Sequence, residues 1–335
     1  MTTGGKYGFI FFCALKEIMQ AKNNNNREVF AFVPSYNHAP FVEKCLRSII
    51  DQTLKPKKLL VIDDGSKDDS PKIIERVLKD CPFDAELVVR ANRGLCATLN
   101  EGFARSSGEY FAYLGSDDVW FSAFIAERVK LLDSRPDAVL GYGNALFLDE
   151  TDEVFDSSAE WWDFPTDARE MLRLGIAPIS STVFYRRRAL EKYEWNENSR
   201  LEDYEFYIKL CDEGEFAFDR RVLSVWRHHG YNVSGDMNLM LAEVLAAQKR
   251  NPEKLALDET NFDDVQRKVR FRYAGDFLQK GYKKNALKLA AKNWRGAASK
   301  TQILKFSARM LVPMSVVNLR RKIWREKIKN KYSVG

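Results

Sequence analysis

The sequence predicts an α/β protein with a mostly parallel, Rossmann-like sheet flanked by helices and an all-helical C-terminal extension. Short apolar runs alternate with helical patterns over the first two-thirds of the chain. A polar loop follows each of three of these runs, and from Met237 onward every segment has a helical pattern. Because a strand–helix–strand order favours parallel strands joined by right-handed crossovers, these observations together predict the fold class.

The first half of the chain supplies four strands of the predicted sheet. The run 29–33 is apolar throughout, which is typical of a strand buried on both faces, and Pro34 is expected to end it. The three further runs are 59–62, 86–89 and 110–114. Helical patterns lie between them at 40–51, 71–78 and 95–104, the second of which has a proline near its start.

The second half of the chain is mixed and then helical. Strands are predicted at 139–142 and 182–185, a helix at 202–211 and a short strand at 222–226. The helices beyond them are predicted near 237–250, 261–280, 283–294 and 300–329. We therefore expect a catalytic domain over 28–236 and a helical region over 237–335, which ends in a basic amphipathic tail.

Composition excludes several classes of protein. The chain has 335 residues, of which 45% are hydrophobic and 30% are charged, which indicates a buried core and excludes a disordered chain. The net charge of +6 is modest, and we predict no nucleic-acid partner. Five scattered cysteines without a C-x-x-C pair argue against a disulfide framework and a zinc site, and favour a reducing, cytoplasmic location.

The N-terminal residues 1–27 are interpreted as an extension. Their apolar run, 7–15, is too short to span a bilayer, and no cleavage site of a signal peptide follows it. The alternative is that translation starts at Met19.

Three polar loops are predicted to meet at one edge of the sheet, because ligands of open α/β sheets bind at the carboxyl ends of the strands. These loops are 34–37, 63–66 and 115–118. The sequence D-D-G-S at 63–66 fits either a turn or a carboxylate that binds a nucleotide. The adjacent Asp117 and Asp118 repel each other unless a cation lies beside them, so they indicate either a metal site or a solvated turn.

Two later segments have two interpretations each. Acidic residues at 202–205 open a helix, where they are favoured by the helix dipole, or else Asp203 is a general base. The segment 226–234 contains Arg227 and two of the three histidines in the chain, His228 and His229, the third being His38. It is either a polar surface loop or a lid that contacts a diphosphate or a metal.

The order and spacing of these segments resemble glycosyltransferase family 2 over residues 29–234. The matching motifs are P-x-Y-N at 34–37, S-I-x-x-Q-T at 48–53, V-I-D-D-G-S at 61–66, N-x-G at 92–94, L-G-S-D-D at 114–118, E-D-x-E at 202–205 and R-x-H-x-x-N-x-S at 227–234. One departure is Gly115, where relatives often have the first Asp of L-D-x-D-D. The metal-binding role then falls on Asp117 and Asp118.

The resemblance implies a GT-A fold and a role for each matched residue. Asp203 would be the catalytic base, and Asp117, Asp118 and His229 would bind Mg²⁺ or Mn²⁺. The donor-binding residues implied by the resemblance are Pro34, Ser35, Tyr36, Asp63, Asp64, Arg93, Gly94, Asp117 and Arg227.

The implied reaction is an inverting transfer from a nucleotide-sugar donor, with UDP-sugars favoured. The implied acceptor is a saccharide or polyprenyl-linked saccharide, and the implied process is synthesis of a cell-surface polysaccharide or glycan. The rival classes are a nucleotidyltransferase and an inactive sugar-nucleotide or glycan-binding module. The chain lacks the G-x-G-x-x-G of a dehydrogenase after its first strand.

The C-terminal tail is basic and amphipathic. Between residues 300 and 331 there are ten Lys and Arg residues and a single acidic residue, Glu326. No apolar run in this segment is long enough to span a bilayer. This pattern predicts peripheral contact with the inner face of the cell membrane. The alternative is a helix packed on the catalytic domain with a solvated basic face.

Overall fold

The computed structural model describes residues 28–162, 167–230 and 232–332. The predictions for residues 1–27, including the alternative start at Met19, lie outside these ranges. The strands are β1 (Val29–Ser35), β2 (Lys58–Asp63), β3 (Asp84–Val89), β4 (Tyr110–Tyr113), β5 (Val119–Trp120), β6 (Ala138–Leu148), β7 (Val154–Ser157), β8 (Phe184–Arg186) and β9 (Glu215–Arg227).

Eleven α-helices accompany these strands in the described residues. They are α1 (Val42–Ile50), α2 (Ser70–Lys79), α3 (Leu95–Ala104), α4 (Phe124–Asp133), α5 (Ala168–Arg173), α6 (Glu202–Leu210), α7 (Met237–Arg250), α8 (Phe262–Gln279), α9 (Lys283–Asn293), α10 (Lys300–Leu311) and α11 (Met314–Tyr332). Short 3₁₀ turns lie at Ser180–Thr182, before β8, and at Trp294–Gly296, after α9.

The nine strands form one sheet in the order β3-β2-β1-β4-β8-β6-β9-β5, with β7 paired to β6. Strands β1 to β4 are parallel, as predicted. Beyond β4 the sheet is mixed, because β8 runs antiparallel to both β4 and β6 whereas β6 and β9 are parallel. The central position of β1, between β2 and β4, places the polar loops after these three strands next to one another.

The sheet is covered on both faces, which explains the continuous apolar runs. Phe30 and Phe32 of β1 belong to the core that also contains residues of α3 and α6, whereas Val29, Ala31 and Val33 belong to the core under α1, α2 and α4. A strand buried on both faces has no polar side to alternate with.

Several predicted boundaries differ from the structure, and the strand predicted at 139–142 is the 11-residue β6. β1 continues through Pro34 to Ser35, and β8 begins only after a 3₁₀ turn. β9 has 13 residues rather than five, because charged residues interrupt its apolar pattern while the backbone continues to pair with β6. The predicted helix 300–329 is two helices, α10 and α11, separated at Pro313, which cannot continue a helix.

The C-terminal region is helical, as predicted. Helices α7 and α8 contribute Val244, Ala247, Val265 and Val269 to the larger core, which they share with the sheet. The division into 28–236 and 237–335 therefore stays a prediction. Within the described residues, no helix is both long and apolar enough to cross a membrane.

Candidate active site

The loops after β1 and β2 are tied together by Asn37. Its backbone N–H donates to Ser66 Oγ at 2.8 Å, and its side-chain oxygen accepts from the backbone N–H of Lys67 at 2.7 Å. Asn37 has a φ of 53°, a left-handed conformation that asparagine tolerates better than most residues. The two loops therefore form one rim at the carboxyl end of the sheet.

Asp63, predicted to bind the donor, is completely buried. Its carboxylate accepts from the backbone N–H of Ser66 at 2.8 Å and from the Ser66 hydroxyl at 2.7 Å. The hydroxyl of Ser35, another predicted donor-binding residue, donates to the same carboxylate at 3.3 Å. Both side chains thus hold the turn after β2 in shape, and the Asp63 side chain has no surface to offer a ligand.

Asp64 joins the loop after β2 to the segment 90–94. Its two oxygens accept backbone N–H groups of Arg93 at 2.9 Å and Gly94 at 2.8 Å, and Arg90 forms an ion pair with it. Gly94 has a φ of 91°, which only glycine adopts readily. Burying a carboxylate with this many partners fixes the loop geometry.

Of the predicted donor-binding side chains, Tyr36 and Arg93 are the exposed ones on this rim. Tyr36 follows β1 and is 45% exposed, and the Arg93 side chain is 57% exposed. Pro34 is buried within β1, where its Cα pairs in register with that of Ile62. A ligand that approaches the rim therefore meets the ring of Tyr36 and the guanidinium of Arg93 first.

A cluster of three metal-ligating side chains lies beside this rim. His229 Nε2 is 2.9 Å from Asp117 Oδ2, and His38 Nδ1 is 3.8 Å from Asp117 Oδ1. One ligand atom from each of the three residues lies within 4.8 Å of the others. Imidazole nitrogen and carboxylate oxygen are both ligands of divalent transition metals, so the donor set fits such an ion.

His38 was missed at the sequence level. It reaches the cluster because the loop after β1 turns back over the sheet, with the His38 N–H donating to Ser70 Oγ at 3.0 Å and its Nδ1 2.8 Å from Ser116 Oγ. Burial lowers the pKa of His38, which favours the neutral imidazole that a metal requires. Its position on the predicted rim, one residue after the P-x-Y-N motif, was the available signal.

Asp117 and Asp118 differ in their ionisation. Burial opposes the charge of Asp117, but the hydrogen bond with His229 and the nearby His38 lower the pKa of Asp117 overall. Burial and the adjacent charge of Asp117 hold the pKa of Asp118 well above its ordinary value. Asp118 Oδ1 accepts the backbone N–H of Arg227 at 2.8 Å. Asp117 is thus the carboxylate that points into the His cluster.

Arg227, predicted to bind the diphosphate, is buried with its guanidinium directed into the protein. Its Nε donates to the Asp117 carbonyl at 2.9 Å, and its Nη1 donates to the Asp149 carbonyl at 3.1 Å and pairs with Asp152 at 2.6 Å. Its guanidinium also lies over the Phe41 ring. Arg227 therefore clamps the Asp117–Asp118 loop against the hairpin of β6 and β7.

Gly115 leaves room for this arrangement. A Cβ at position 115 would lie 2.8 Å from Asp117 Oδ1 and 3.4 Å from Asp118 Oδ2. The space that a side chain would fill is therefore used by the carboxylate that meets His38 and His229. The departure from the family pattern is thus accompanied by a different local set of possible ligands.

Glu202 and Asp203 occupy the first turn of α6. Burial raises the pKa of Asp203 to about 6. Burial, followed by the charges of Asp203 and then Asp117, raises the pKa of Glu202 to about 8. At neutral pH the pair therefore consists of an ionised Asp203 beside a protonated Glu202. Asp117 contributes to the raised pKa of Glu202, and Glu202 to that of Asp118, so the start of α6 lies close enough to the Asp117–Asp118 loop to interact with it electrostatically.

Three buried tyrosines lie within electrostatic reach of the predicted base. Tyr113 of β4, Tyr185 of β8 and Tyr207 of α6 are buried, and the rings of Tyr113 and Tyr185 stack with their centroids 6.2 Å apart. Burial raises the pKa of each tyrosine, and the charge of Asp203 raises it further. Burial likewise disfavours the charge of Asp203, which is why Asp203 holds its proton more tightly than an exposed carboxyl.

Comparison with known sequences identifies the family that this site resembles. Residues 30–194 match the family model described as glycosyl transferase family 2. The chain is 29% identical over 171 residues to an uncharacterized glycosyltransferase of Nostoc sp., an alignment that covers 49% of this chain and 52% of the relative. It is 26% identical over 209 residues to the chondroitin synthase of Escherichia coli, covering 62% of this chain and 30% of the relative. The chain thus spans about half or less of these relatives' length.

Two solved structures share the fold. The Pyrobaculum calidifontis mannosyltransferase PcManGT, solved with GDP-Man and Mn²⁺, aligns with a TM-score of 0.58 and 17% identity, over 97% of this chain and 96% of that one. A fragment of S. aureus TarS, solved with UDP-GlcNAc, aligns with a TM-score of 0.54 and 14% identity, over 80% and 89% of the two chains. These likenesses confirm the predicted GT-A fold.

Proposed function

Because residues 30–194 match the glycosyl transferase family 2 model, we propose that the chain transfers a sugar from a nucleoside-diphosphate donor to a hydroxyl of a saccharide acceptor, with inversion at the anomeric carbon. The observation that supports this proposal is the cluster of His38, Asp117 and His229, together with the electrostatic interaction between Asp117 and Glu202 at the acidic start of α6. Such an arrangement offers a cation site and a general base, which a sugar transfer needs.

The donor is proposed to bind across the loops after β1 and β2, with the base and ribose near Tyr36, Asp64 and Arg93. These residues lie on an edge where α/β sheets bind nucleotides. The two solved relatives contain UDP-GlcNAc and GDP-Man, which supports a nucleotide sugar as the donor class. A UDP-sugar remains the favoured donor, as the resemblance implies.

A divalent metal is proposed to be held by His38, Asp117 and His229, with Asp118 adjacent. When bound, it would offset the negative charge that develops on the leaving diphosphate. Two imidazole nitrogens in the set favour Mn²⁺ over Mg²⁺, because Mg²⁺ is a hard ion that prefers oxygen ligands. The Mn²⁺ in the mannosyltransferase relative supports the same preference.

Asp203 is proposed as the general base. Ionised at neutral pH, its carboxylate would take the proton from the acceptor hydroxyl as the new bond to the anomeric carbon forms. The bond between that carbon and the diphosphate oxygen breaks in the same step, and the diphosphate leaves with the electron pair. Protonated Glu202 keeps a second negative charge away from the base at this pH.

The acceptor is proposed to be a saccharide or polyprenyl-linked saccharide of a cell-surface glycan. One relative is named as a chondroitin synthase, so polysaccharide assembly occurs among similar proteins. We place the protein in the cytoplasm, in peripheral contact with the inner face of the membrane, where lipid-linked acceptors would be presented.

A donor-hydrolysis panel tests the proposal. The protein is incubated with UDP-, GDP- and TDP-sugars in Mn²⁺, in Mg²⁺ or in chelator, and release of the nucleoside diphosphate is measured. We expect release from one donor class, faster in Mn²⁺ than in Mg²⁺ and lost in chelator. Asp117→Asn serves as the matched inactive variant. Release from no donor, or release that chelator leaves unchanged, would contradict the proposal.

A further inference from the structure

The last helices of the chain carry its net positive charge. Residues 280–332 contain sixteen Lys and Arg side chains and one acid, Glu326, although the whole chain has a net charge of only +6. The remainder of the chain is therefore net negative. A surface with this polarity attracts anionic partners and repels a second copy of itself.

The same region carries most of the exposed apolar side chains. Of the twelve large hydrophobic residues that are exposed in the described part of the chain, eight lie between 282 and 323. They are Tyr282, Leu287, Trp294, Leu304, Leu311, Val316, Leu319 and Ile323. Single exposed hydrophobic residues need no explanation, but a concentration of them marks an interaction surface.

Helix α11 separates its two faces clearly. One face docks on β7, where Trp324 Nε1 donates to Asp156 Oδ1 at 2.9 Å and Ile328 is completely buried. Val316, Leu319 and Ile323 follow one another at spacings of three and four, so they share a face of the helix, and they are 42%, 59% and 61% exposed. This outer face lacks a partner among the described residues.

Helix α10 repeats the pattern. Ile303 and Phe306 pack inward against the small core formed by α8 and α9, and no residue of the helix is fully buried. Leu304 and Leu311, seven residues apart on the same face, are 70% and 84% exposed. Two consecutive helices thus present apolar side chains outward although their inner faces are occupied.

Some of the basic side chains around these apolar residues form ion pairs within the protein, and others do not. Lys329 pairs with Glu153, and Lys331 pairs with Glu160, so these two serve to dock α11 on the catalytic domain. In contrast, several basic side chains form no ion pair with any residue that the structure describes, among them Lys305, Arg309, Arg320 and Lys322. Their charges are available to an external anion.

We propose that the outer face of α10 and α11 lies on an anionic lipid bilayer surface. Leu304, Leu311, Val316, Leu319 and Ile323 enter the boundary between headgroups and acyl chains. The flanking Lys and Arg side chains meet anionic headgroups. An interfacial helix needs this combination of an apolar stripe and a basic border. The inference adds to the proposed function by naming an anionic bilayer as the surface that would present a lipid-linked saccharide. It rests on the proposed function only for the identity of that acceptor.

The docked face is fixed to the catalytic rim through the β6–β7 hairpin. Lys329 pairs with Glu153, whose backbone N–H donates to Asp149 Oδ1 at 3.1 Å, and the Asp149 carbonyl accepts from Arg227. Arg227 in turn holds the loop that contains Asp117 and Asp118. A membrane that binds the outer face therefore holds the catalytic domain in one orientation relative to the lipid.

Co-sedimentation of the full chain with vesicles tests the inference without donor or metal. Vesicles of phosphatidylglycerol are compared with vesicles of phosphatidylcholine. One variant replaces Leu304, Leu311, Leu319 and Ile323 by Ser, and a second carries Arg320→Glu and Lys322→Glu. The matched controls are Val89→Ser, an exposed apolar residue elsewhere, and Lys72→Glu with Lys79→Glu on α2, whose side chains are 84% and 70% exposed.

We expect binding to phosphatidylglycerol that added salt weakens, and little binding to phosphatidylcholine. Each test variant should bind roughly tenfold more weakly or worse, and the controls should bind like the unmodified chain. Absence of binding to phosphatidylglycerol would overturn the inference, as would full binding by both test variants. So would a dimer that the serine variant converts to a monomer while vesicle binding persists, because the face would then join two copies.

Donor hydrolysis without vesicles separates this inference from the proposed function. Both test variants should hydrolyse donor at the rate of the unmodified chain, since the changed residues lie outside the catalytic rim. If no chain hydrolyses any donor while vesicle binding follows the expected pattern, the proposed function fails and the lipid surface stands.

Discussion

His229 and Asp117 lie 112 residues apart in the chain, and yet His229 Nε2 and Asp117 Oδ2 are separated by 2.9 Å. The first follows the long strand β9, and the second follows β4. The Phe41 ring stacks on the His229 ring with the centroids 5.1 Å apart, which restricts the orientation of the imidazole. The pair is therefore oriented by packing from a third element, as a preformed metal site requires.

Replacing Asp203 with Asn should lower turnover by roughly a hundredfold or more, because an amide cannot take the acceptor proton. Donor affinity should change little. Steady-state kinetics with the best donor of the panel measures both quantities. Asp212→Asn, just beyond the same helix, is the matched control, since it removes a surface ion pair with Arg169 and should leave turnover intact. Near-normal turnover in Asp203→Asn would place the base elsewhere.

The acid side of the pH–rate profile should report the ionisation of Asp203. Its pKa is raised to about 6, so kcat/KM should fall about tenfold per pH unit below that value. Glu202→Gln should leave this limb in place, because Glu202 is already neutral at pH 6. A profile that is flat down to pH 5 would contradict the assignment.

Asp203 should also make stability depend on pH. Because its pKa is raised in the folded protein, its favourable contribution is present below the unfolded pKa, about 3.9, and is lost as the pH rises through about 6. Asp203→Asn should therefore raise Tm more at pH 7 than at pH 5. Thermal unfolding at the two pH values measures the difference. An equal change in Tm at pH 5 and pH 7 would show that ionisation of the Asp203 carboxyl does not destabilise the folded protein.

Gly115→Ala should weaken Mn²⁺ binding about tenfold without unfolding the protein. The added methyl group would lie 2.8 Å from Asp117 Oδ1, which is too close. The Asp117 side chain would have to move away, and its carboxylate would then be displaced from the proposed metal site. Titration calorimetry with Mn²⁺ measures the affinity. Gly230→Ala is the matched control in the nearby loop, because its Cβ would meet nothing within 4 Å. Unchanged affinity in Gly115→Ala would show that Asp117 is not a ligand in this orientation.

His38→Asn should weaken Mn²⁺ binding about tenfold or more by removing one of the three clustered ligands. His228→Phe is the matched control. The His228 ring lies in an aromatic group with Phe147, Phe155 and Trp226, where a phenyl ring should pack equally well. Titration calorimetry, or the electron paramagnetic resonance signal of free Mn²⁺, measures the binding of Mn²⁺. Equal affinity in both variants would remove His38 from the site.

Arg227→Met should destabilise the fold by about 2 kcal/mol, since it removes hydrogen bonds to the buried carbonyl of Asp117 and the partly buried carbonyl of Asp149. Denaturant unfolding measures the loss. A residue that bound the diphosphate would give the opposite result, namely weaker donor binding at unchanged stability. The two measurements together thus decide between the predicted ligand role and the structural role.

The parallel half of the sheet could be predicted from sequence because β1, β2 and β4 are almost completely buried and appear as uninterrupted apolar runs. The edge strand β3 is only partly buried, and its apolar run 86–89 still marked it. The second half could not, since β9 alternates buried and charged residues. Asp219 of β9 is buried against Arg128, so a charged residue there marks a salt bridge inside the protein and not the end of a strand. Local pattern does not reveal a partner 91 residues away.

The candidate site was predictable in part. The resemblance located Asp117 and His229, which are in contact in the structure, and Asp203 at the start of α6, whereas their roles remain proposals. His38 escaped notice because one histidine in a loop carries no spacing signal. Arg227 and Asp63 had the residue types expected of ligands, and only burial showed that both face inward. The match of residues 30–194 to the family model favours sugar transfer over the nucleotidyltransferase and binding-module alternatives.

Helices α7 and α8 share the larger core with the sheet, so a shortened chain cannot simply stop at the apparent end of the catalytic fold. Truncation before Met237 would expose Tyr204 and neighbouring core residues to solvent. Because exposed apolar surface promotes association, we expect the truncated protein to aggregate. A shorter form that remains folded should keep everything through Gln279. The smallest folding unit is therefore larger than the segment that the family motifs occupy.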